Sequence, residues 1–220
     1  ISVLDAEELT VIGGDSNGSI VEDSATSWIV SGTLTVDDPD TNDLDALIAQ
    51  KGTAGSANIG TFDLTADGEW TYTADNLQSA IQSLVEGETV SDSFTVESHD
   101  GVSQIVTVTI TGINDVAVIT GSFVTNLTED SASILTADGV LNITDADKDQ
   151  AIFVEQSNTL GTAGIGLFSL QTDGSWAYTA DNTQDAIQAL GADSIIEDSF
   201  TAVSAGGNEQ VITVTITGID

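Results

Sequence analysis

Acidic residues recur in this sequence at spacings that suit metal binding. Glu22-Asp23 and Glu129-Asp130 are adjacent pairs, and each pair is followed by two aspartates that one residue separates. These aspartates are Asp38 and Asp40 after the first pair and Asp145 and Asp147 after the second. An Asp-x-Asp sequence at a strand end presents two carboxylates from one turn. Hard divalent cations, Ca²⁺ above all, take roughly six to eight oxygens from carboxylates, amides and backbone carbonyls.

A second interpretation of these acids is structural. Asp and Asn are common in turns for backbone reasons alone, so any single Asp-x-Asp could be only a turn. Metal binding is favoured because the acidic pair and the Asp-x-Asp follow the same order in both halves of the chain, with the linker residues Asn114 and Asp115 between them. Many carboxylates near one boundary are costly without a cation.

The composition leaves the acids without internal counter-charge. The chain has 36 acidic residues against Lys51 and Lys148, which gives a net charge of -34. Such a chain repels nucleic acid and anionic membranes, and metal cations are the simplest source of positive charge. Cysteine is absent, which excludes disulfides and thiolate metal sites. No apolar run approaches the length of a membrane span.

The sequence is a tandem repeat. "ADGEWTYTADN" at 66–76 returns as "TDGSWAYTADN" at 172–182, and "VTVTITGIND" at 106–115 returns as "ITVTITGID" at 212–220. Each copy has the size of one small domain. We therefore predict an upstream tail at 1–10, a first domain at 11–115 and a second at 116–220, in a piece cut from a longer array.

Alternating apolar residues predict strands in each copy. In the first copy these are 18–21, 28–36, 45–50, 59–65, 69–74, 92–98 and 103–111, with a hairpin turn at Asp67-Gly68. "ADNLQSAIQSL" at 74–84 changes to helical spacing, with Asp75 or Asn76 as its cap. Seven short strands without cysteine indicate an immunoglobulin-like sandwich. The predicted fold is all-β: two tandem immunoglobulin-like antiparallel β-sandwiches, each with one short helix, for which the resemblance described next implies the cadherin-like form.

Several segments resemble known families. "TEDSASILTADGVLNITDADKD" is similar to the cadherin arrangement of a glutamate followed by Asp-x-Asp, "GIND" to a shortened cadherin linker, and "ESHDG" to a further cadherin acidic segment. Nearly the whole of both copies resembles the VCBS and cadherin-like repeats of giant bacterial RTX-type surface adhesins. That resemblance implies extracellular rods of β-sandwiches that calcium stiffens, exported by type I secretion.

The cadherin resemblance also implies a distribution of calcium ligands. Between the two domains it places Glu22, Asn114, Asp115, Asp145 and Asp147. Towards the preceding domain it places Asp38, Asp40 and Asp100, with Glu7 or Glu8 as a linker acid, and towards the next domain it places Glu129. Asp23 and Asp130 are further candidates beside the two glutamates, and Glu86, Glu88 or Asp92 could contribute from a lower loop.

This chain departs from the cadherin pattern in two ways. Gly206 replaces Asp100 in the second copy, and the linker is shorter. A site within one domain, pairing Glu129 or Asp130 with Asp147, therefore remains an alternative.

Three classes of function compete. The first is a calcium-stiffened spacer at the bacterial cell surface, in a biofilm adhesin, whose partners are neighbouring repeats and whose isolated fragment is monomeric. The second is a sandwich that itself binds a glycan or a protein through Trp28, whose counterpart is Leu135 and which could equally be a core residue. Catalysis is the third and least favoured, because the sole histidine, His99, has no recognisable nucleophile beside it.

Overall fold

A computed structural model describes residues 10–39 and 45–219. The chain divides between Asn114 and Asp115 into two compact units, called unit 1 (Ile1–Asn114) and unit 2 (Asp115–Asp220). Each unit has its own apolar core. Within the described residues each unit contains eight strands and one short helix, so the all-β sandwich prediction is confirmed.

Unit 1 is built from two sheets. Its elements are β1 (Val11–Gly14), β2 (Asn17–Val21), β3 (Ser27–Asp37), β4 (Gln50–Ala54), β5 (Gly60–Leu64), β6 (Glu69–Asp75), α1 (Ser79–Gln82), β7 (Thr89–Glu97) and β8 (Ser103–Thr111). One sheet has the order β1-β3-β6-β5-β4 and the other β2-β8-β7. The first strand of the sandwich is split: β1 pairs antiparallel with β3, and β2 pairs parallel with β8.

Unit 2 repeats this arrangement. Its elements are β9 (Val118–Gly121), β10 (Val124–Thr128), β11 (Ile134–Thr144), β12 (Gln156–Leu160), β13 (Gly166–Leu170), β14 (Ser175–Asp181), α2 (Asp185–Gln188), β15 (Ile195–Val203) and β16 (Glu209–Thr217). The sheet orders are β9-β11-β14-β13-β12 and β10-β16-β15. The duplicated sequence therefore gives the same strand order twice.

The repeated aromatic phrase forms a hairpin whose apolar side faces the core. Phe62 on β5 is paired with Tyr72 on β6, and neither side chain is exposed to solvent. The Phe62 ring centroid lies 4.2 Å from that of Phe94 on the opposite sheet, so aromatic packing joins the two layers. Gly68 has φ +90° in the turn, and a Cβ there would lie 2.2 Å from the Leu34 carbonyl oxygen. The turn therefore requires glycine.

A glutamine side chain completes the pairing at one sheet edge. The Ile48 and Ser56 N–H groups donate to the Glu97 and Ser93 carbonyls of β7, each at 2.8 Å. Between them Gln50 Nε2 donates to the Thr95 carbonyl at 2.8 Å, where β4 shifts register. In unit 2, Gln156 Nε2 likewise donates to the Thr201 carbonyl at 3.2 Å. The carbonyls that β7 and β15 direct outwards are thus satisfied, which blocks pairing with another strand.

Three local predictions differ from the structure. The strand predicted at 45–50 is β4 at Gln50–Ala54, and β1 was not predicted. The predicted helix begins later, at Ser79, with Gln78 rather than Asp75 or Asn76 as N-cap. Asp75 Oδ1 instead accepts the Leu77 N–H at 3.0 Å, a local turn that competes with helix, and Leu77 is exposed.

Candidate metal centre

The strongest candidate site lies where β11 ends, around Asp147. The Asp147 side chain is 2 % exposed, and its N–H donates to Asp145 Oδ1 at 3.0 Å. The Asp115 N–H, just before β9, donates to Asp147 Oδ2 at 2.9 Å. The Gln150 N–H donates to the Asp147 carbonyl at 3.3 Å and closes the turn. We call Asp115, Asp145, Asp147 and Gln150 the Asp147 cluster.

This cluster contains buried oxygens that accept no hydrogen bond. They are Asp145 Oδ2, Asp147 Oδ1 and Gln150 Oε1. Burial raises the pKa of Asp147 above its usual 3.8; the hydrogen bond from the Asp115 N–H opposes the rise, and the charge of Asp145 adds to it. Buried carboxylates are normally paired with cations or with hydrogen-bond donors. Asp145 Oδ2, Asp147 Oδ1 and Gln150 Oε1 are therefore candidate ligands for a cation.

The equivalent end of unit 1 is arranged differently. Thr10 Oγ1 lies 2.8 Å from Asp38 Oδ2 and is also hydrogen-bonded to Asp100 Oδ2. A hydroxyl has one proton to donate, so it bridges two carboxylates that it satisfies only in part. Ser98 Oγ donates to Asp100 Oδ1 at 2.5 Å, and these two hydroxyls hold the pKa of Asp100 below its usual value. Asp40, Glu7 and Glu8 lie outside the described residues.

Unit 2 has no carboxylate at the position of Asp100, because Gly206 stands there. The Ala117 N–H instead donates to Asn208 Oδ1 at 2.9 Å, which ties the segment before β9 to the start of β16. Asn208 lies outside the Glu-Asp and Asp-x-Asp motifs, so the sequence pattern does not indicate this contact. The two units therefore use different side chains to fix the same part of the sandwich.

The other end of each unit holds one buried glutamate. Glu22 is 1 % exposed; its Oε2 accepts the Ile113 N–H at 3.1 Å and its Oε1 accepts Gln82 Nε2 at 3.3 Å. Glu129 is 4 % exposed, and its Oε1 accepts the Ile219 N–H at 2.9 Å. Its Oε2 is buried and accepts no hydrogen bond. Glu129 is thus a second carboxylate with an unmet need for a positive partner.

Asp23 and Asp130, which follow these glutamates, have donors of their own. Asp23 Oδ1 accepts Asn76 Nδ2 at 2.5 Å and Gln82 Nε2 at 2.9 Å, and Asp130 makes the same two contacts with Asn182 and Gln188. Both aspartates have positive φ, at 55° and 57°. The amide hydrogen bonds lower the pKa of each carboxyl. These contacts explain the aspartates as turn-forming residues.

The alternative of a site shared by Glu129 or Asp130 and Asp147 is not compatible with unit 2. Asp147 is bonded to Asp115, close to the start of β16, whereas Glu129 is bonded to Ile219, beyond the end of β16. The nine residues of β16 separate these ends by about 30 Å. One cation cannot contact both.

Asp92 is a core residue and not a loop ligand. It is fully buried, and its carboxylate accepts the N–H groups of Ala57, Ile59 and Gly60 at 2.7, 3.2 and 2.9 Å, and the Tyr72 hydroxyl at 3.1 Å. Asp198 accepts two backbone N–H groups and the Tyr178 hydroxyl in the same way. Sequence analysis missed this role because the segment "SDSF" looks like an exposed strand start.

Trp28 is likewise a core residue. Its side chain is 6 % exposed, and its Nε1 donates to Ser24 Oγ at 3.0 Å. The core interpretation of Trp28 is confirmed, and an aromatic platform for a glycan at this position is excluded.

Across residues 10–39 and 45–219, no group of three or more His, Cys, Asp or Glu side chains is arranged closely enough to hold a metal ion by itself. Calcium also uses amide and backbone carbonyl oxygens, which are not among these side chains. Gln150 carries such an amide oxygen. The same described ranges contain no helix long and apolar enough to cross a membrane.

Comparison with known proteins identifies the domain type. Residues 8–112 match the family model described as "bacterial cadherin-like domain". Unit 1 is therefore similar to a cadherin-like domain. Unit 2 repeats its strand order, so the cadherin-like fold is present twice. Cadherin-like domains are non-enzymatic structural or adhesion domains and are typically extracellular.

Solved structures that align with this chain include several cadherins. A protocadherin gammaB7 EC3-6 structure aligns with 97 % of this chain at 16 % identity and a TM-score of 0.49. Drosophila N-cadherin EC1-4 aligns with 95 % of this chain at 16 % identity and a TM-score of 0.43. The chain spans about half the length of each, 48 % and 49 %. Human mucin-like protocadherin EC1-2 aligns with 96 % at 13 % identity and 0.43, over 99 % of its own length. No curated protein sequence matches the chain.

Proposed function

We propose that the two cadherin-like domains are calcium-binding spacer repeats of a bacterial cell-surface adhesin, of the RTX type with VCBS-like repeats. In such a protein they hold a distal ligand-binding region away from the cell. The observation that supports this proposal best is the Asp147 cluster, where one turn carries three side-chain oxygens that are buried and accept no hydrogen bond.

Calcium is the metal that this oxygen chemistry favours. The cluster offers carboxylate and amide oxygens and no imidazole or thiolate, which is the ligand set of a hard cation. Extracellular calcium modules bind with Kd of roughly 10⁻⁴ to 10⁻³ M, so such sites fill outside the cell and stay empty in the cytosol. A chain with a net charge of -34 gains further from bound cations, because they reduce its self-repulsion.

The geometry supports some of the proposed ligands more strongly than others. Asp145, Asp147 and Glu129 carry buried oxygens that accept no hydrogen bond, and Asp115 is bonded into the same cluster. The remaining candidates are Glu22, Asp23, Asp38, Asp40, Asp100, Asn114 and Asp130, and for these the cadherin resemblance is the main support. Sharing of ions between successive repeats also follows from that resemblance and remains a prediction.

A calcium titration tests the proposal. The double variant Asp145→Asn, Asp147→Asn removes two carboxylates of the cluster, and Asp138→Asn, Glu155→Gln removes two exposed carboxylates of the same unit as a matched control. A site with Kd of about 0.3 mM stabilises the folded state by about 2 kcal/mol at 10 mM Ca²⁺. We therefore expect Tm to rise by about 10 °C in the wild type and the control, and by clearly less in the cluster variant.

Calorimetry reports the number and affinity of the sites in the same samples. Loss of one binding event in the cluster variant alone would support the assignment. A wild-type chain that releases no heat with millimolar Ca²⁺ and melts identically in EDTA would contradict the proposed function.

Small-angle scattering with and without EDTA tests the spacer role itself. We expect the chain to become more flexible when calcium is removed, and identical scattering curves would argue against calcium stiffening.

A further inference from the structure

Gln150 contributes a buried oxygen to the Asp147 cluster that the acidic pattern does not account for. Its backbone is fixed, because its N–H donates to the Asp147 carbonyl at 3.3 Å and its carbonyl accepts the Ile152 N–H at 2.8 Å. The side chain therefore leaves the same turn that carries Asp147. Its Oε1 is buried and accepts no hydrogen bond.

Two further side-chain oxygens of this turn share that property. Asp145 Oδ2 and Asp147 Oδ1 are also buried without a donor, and ionised carboxylates only accept hydrogen bonds. Three acceptors on one turn repel one another unless a positive group lies between them. Asp147, at 2 % exposure, cannot turn its oxygen into bulk solvent.

Other glutamines in this chain show the opposite orientation. Gln82 and Gln188 direct their Nε2 groups at the carboxylates of Asp23 and Asp130, at 2.9 and 3.0 Å. Those amides act as donors and satisfy the acids beside them. The Gln150 side chain makes no such hydrogen bond to Asp145 or Asp147, and its oxygen is buried without a donor.

We propose that Gln150 Oε1 is a direct ligand of the cation that the Asp147 cluster binds. This inference rests on the proposed function, since it needs a cation at that cluster. The amide supplies an oxygen without charge, so Gln150 sets the affinity of the site by limiting its negative charge. Gln150→Glu adds a charged oxygen and strengthens binding, whereas Gln150→Leu removes the oxygen and weakens it.

The inference is tested on the full 220-residue chain with Ca²⁺ as the probe. We expect Gln150→Leu to bind about tenfold more weakly and Gln150→Glu about tenfold more tightly, as loss or gain of one ligand oxygen predicts. Gln210→Leu is the matched control, because the exposed Gln210 amide donates only to the neighbouring Val211 carbonyl. Its affinity should equal that of the wild type.

A side-chain NMR signal separates ligation from a structural role. The Gln150 amide NH₂ resonances, assigned by their loss in Gln150→Leu, should shift with calcium at the same concentrations as the backbone amides of Asp145 and Asp147. If those backbone amides shift and the Gln150 NH₂ group does not, or if Gln150→Leu binds like the wild type, the inference is wrong while the calcium site stands. If no resonance shifts in the wild type, the proposed function fails, and the inference with it.

Discussion

The buried carboxylate of Asp92 provides the sharpest test of how this sandwich is held together. Asp92 accepts three backbone N–H groups and one hydroxyl, at 2.7 to 3.2 Å, with no cation in contact among the described residues. It thereby fixes the segment between β4 and β5. The variant Asp92→Asn keeps the size of the side chain and replaces one acceptor oxygen by a donor NH₂ group.

The expected cost follows from the hydrogen bonds lost. If the amide oxygen of Asp92→Asn takes the place of Oδ2, the NH₂ group takes the place of Oδ1. The Ala57 N–H then faces another donor and loses its hydrogen-bond acceptor. Hydrogen bonds to a charged acceptor are worth about 1.5–3 kcal/mol each, and an unsatisfied buried donor costs about 1–3 kcal/mol. Burying a neutral amide instead of a carboxylate offsets part of this. We expect unit 1 to lose about 3 kcal/mol of unfolding free energy.

Denaturant unfolding, with Glu69→Gln as an exposed control that removes the same charge, measures this loss. Hydrogen exchange should show faster exchange at Ala57, Ile59 and Gly60 in Asp92→Asn and unchanged exchange at the equivalent residues of unit 2. A loss below about 1 kcal/mol with unchanged exchange at these three amides would refute the structural role assigned to Asp92.

Three further predictions address other contacts. Gly161→Ala places a Cβ 2.1 Å from Asp198 Oδ1 and should destabilise unit 2 in a melting experiment, whereas Gly191→Ala, whose nearest neighbour atom would be 3.9 Å away, should not. Gln156→Ala removes the side-chain bond to β15 and should cost about 1 kcal/mol in denaturant unfolding. In EDTA, the raised pKa of Asp147 means that its contribution to stability is present below pH 3.8 and is lost as pH rises through the raised pKa. The Tm of Asp147→Asn should therefore rise relative to the Tm of the wild type as pH increases from below 3.8 to 7. In excess Ca²⁺ at pH 7, the wild type should instead have the higher Tm.

The strands could be predicted where one face is buried and the other exposed. In β8, Val106, Val108 and Ile110 are buried, and the threonines between them are half-buried. Such alternation is set by the hydrophobic effect and is therefore visible in the sequence. The strand β4 has no buried residue, and the Gln50 side chain and neighbouring backbone bonds hold it in place. A strand of that kind leaves no periodic pattern.

The candidate site could be predicted only as far as charge indicates it. The Asp-x-Asp at Asp145 and Asp147 and the glutamate Glu129 were found because carboxylates stand out in a sequence. Gln150 and Asn208 were missed because Gln and Asn have no charge and are common in turns. Only the folded structure shows which polar groups surround their amides. Asp92 was assigned to a loop because the sequence does not reveal that three backbone N–H groups converge on it.

The supply of hydrogen-bond donors separates the acidic residues that need a cation from those that do not. With two lysines in the whole chain, the donors available to a carboxylate are amides, hydroxyls and backbone N–H groups. Asp92 has four such donors, and Asp130 has two side-chain amides. Asp147 and Glu129 each keep one buried oxygen without any. These two buried carboxylates are therefore the ones for which we propose a bound cation as partner.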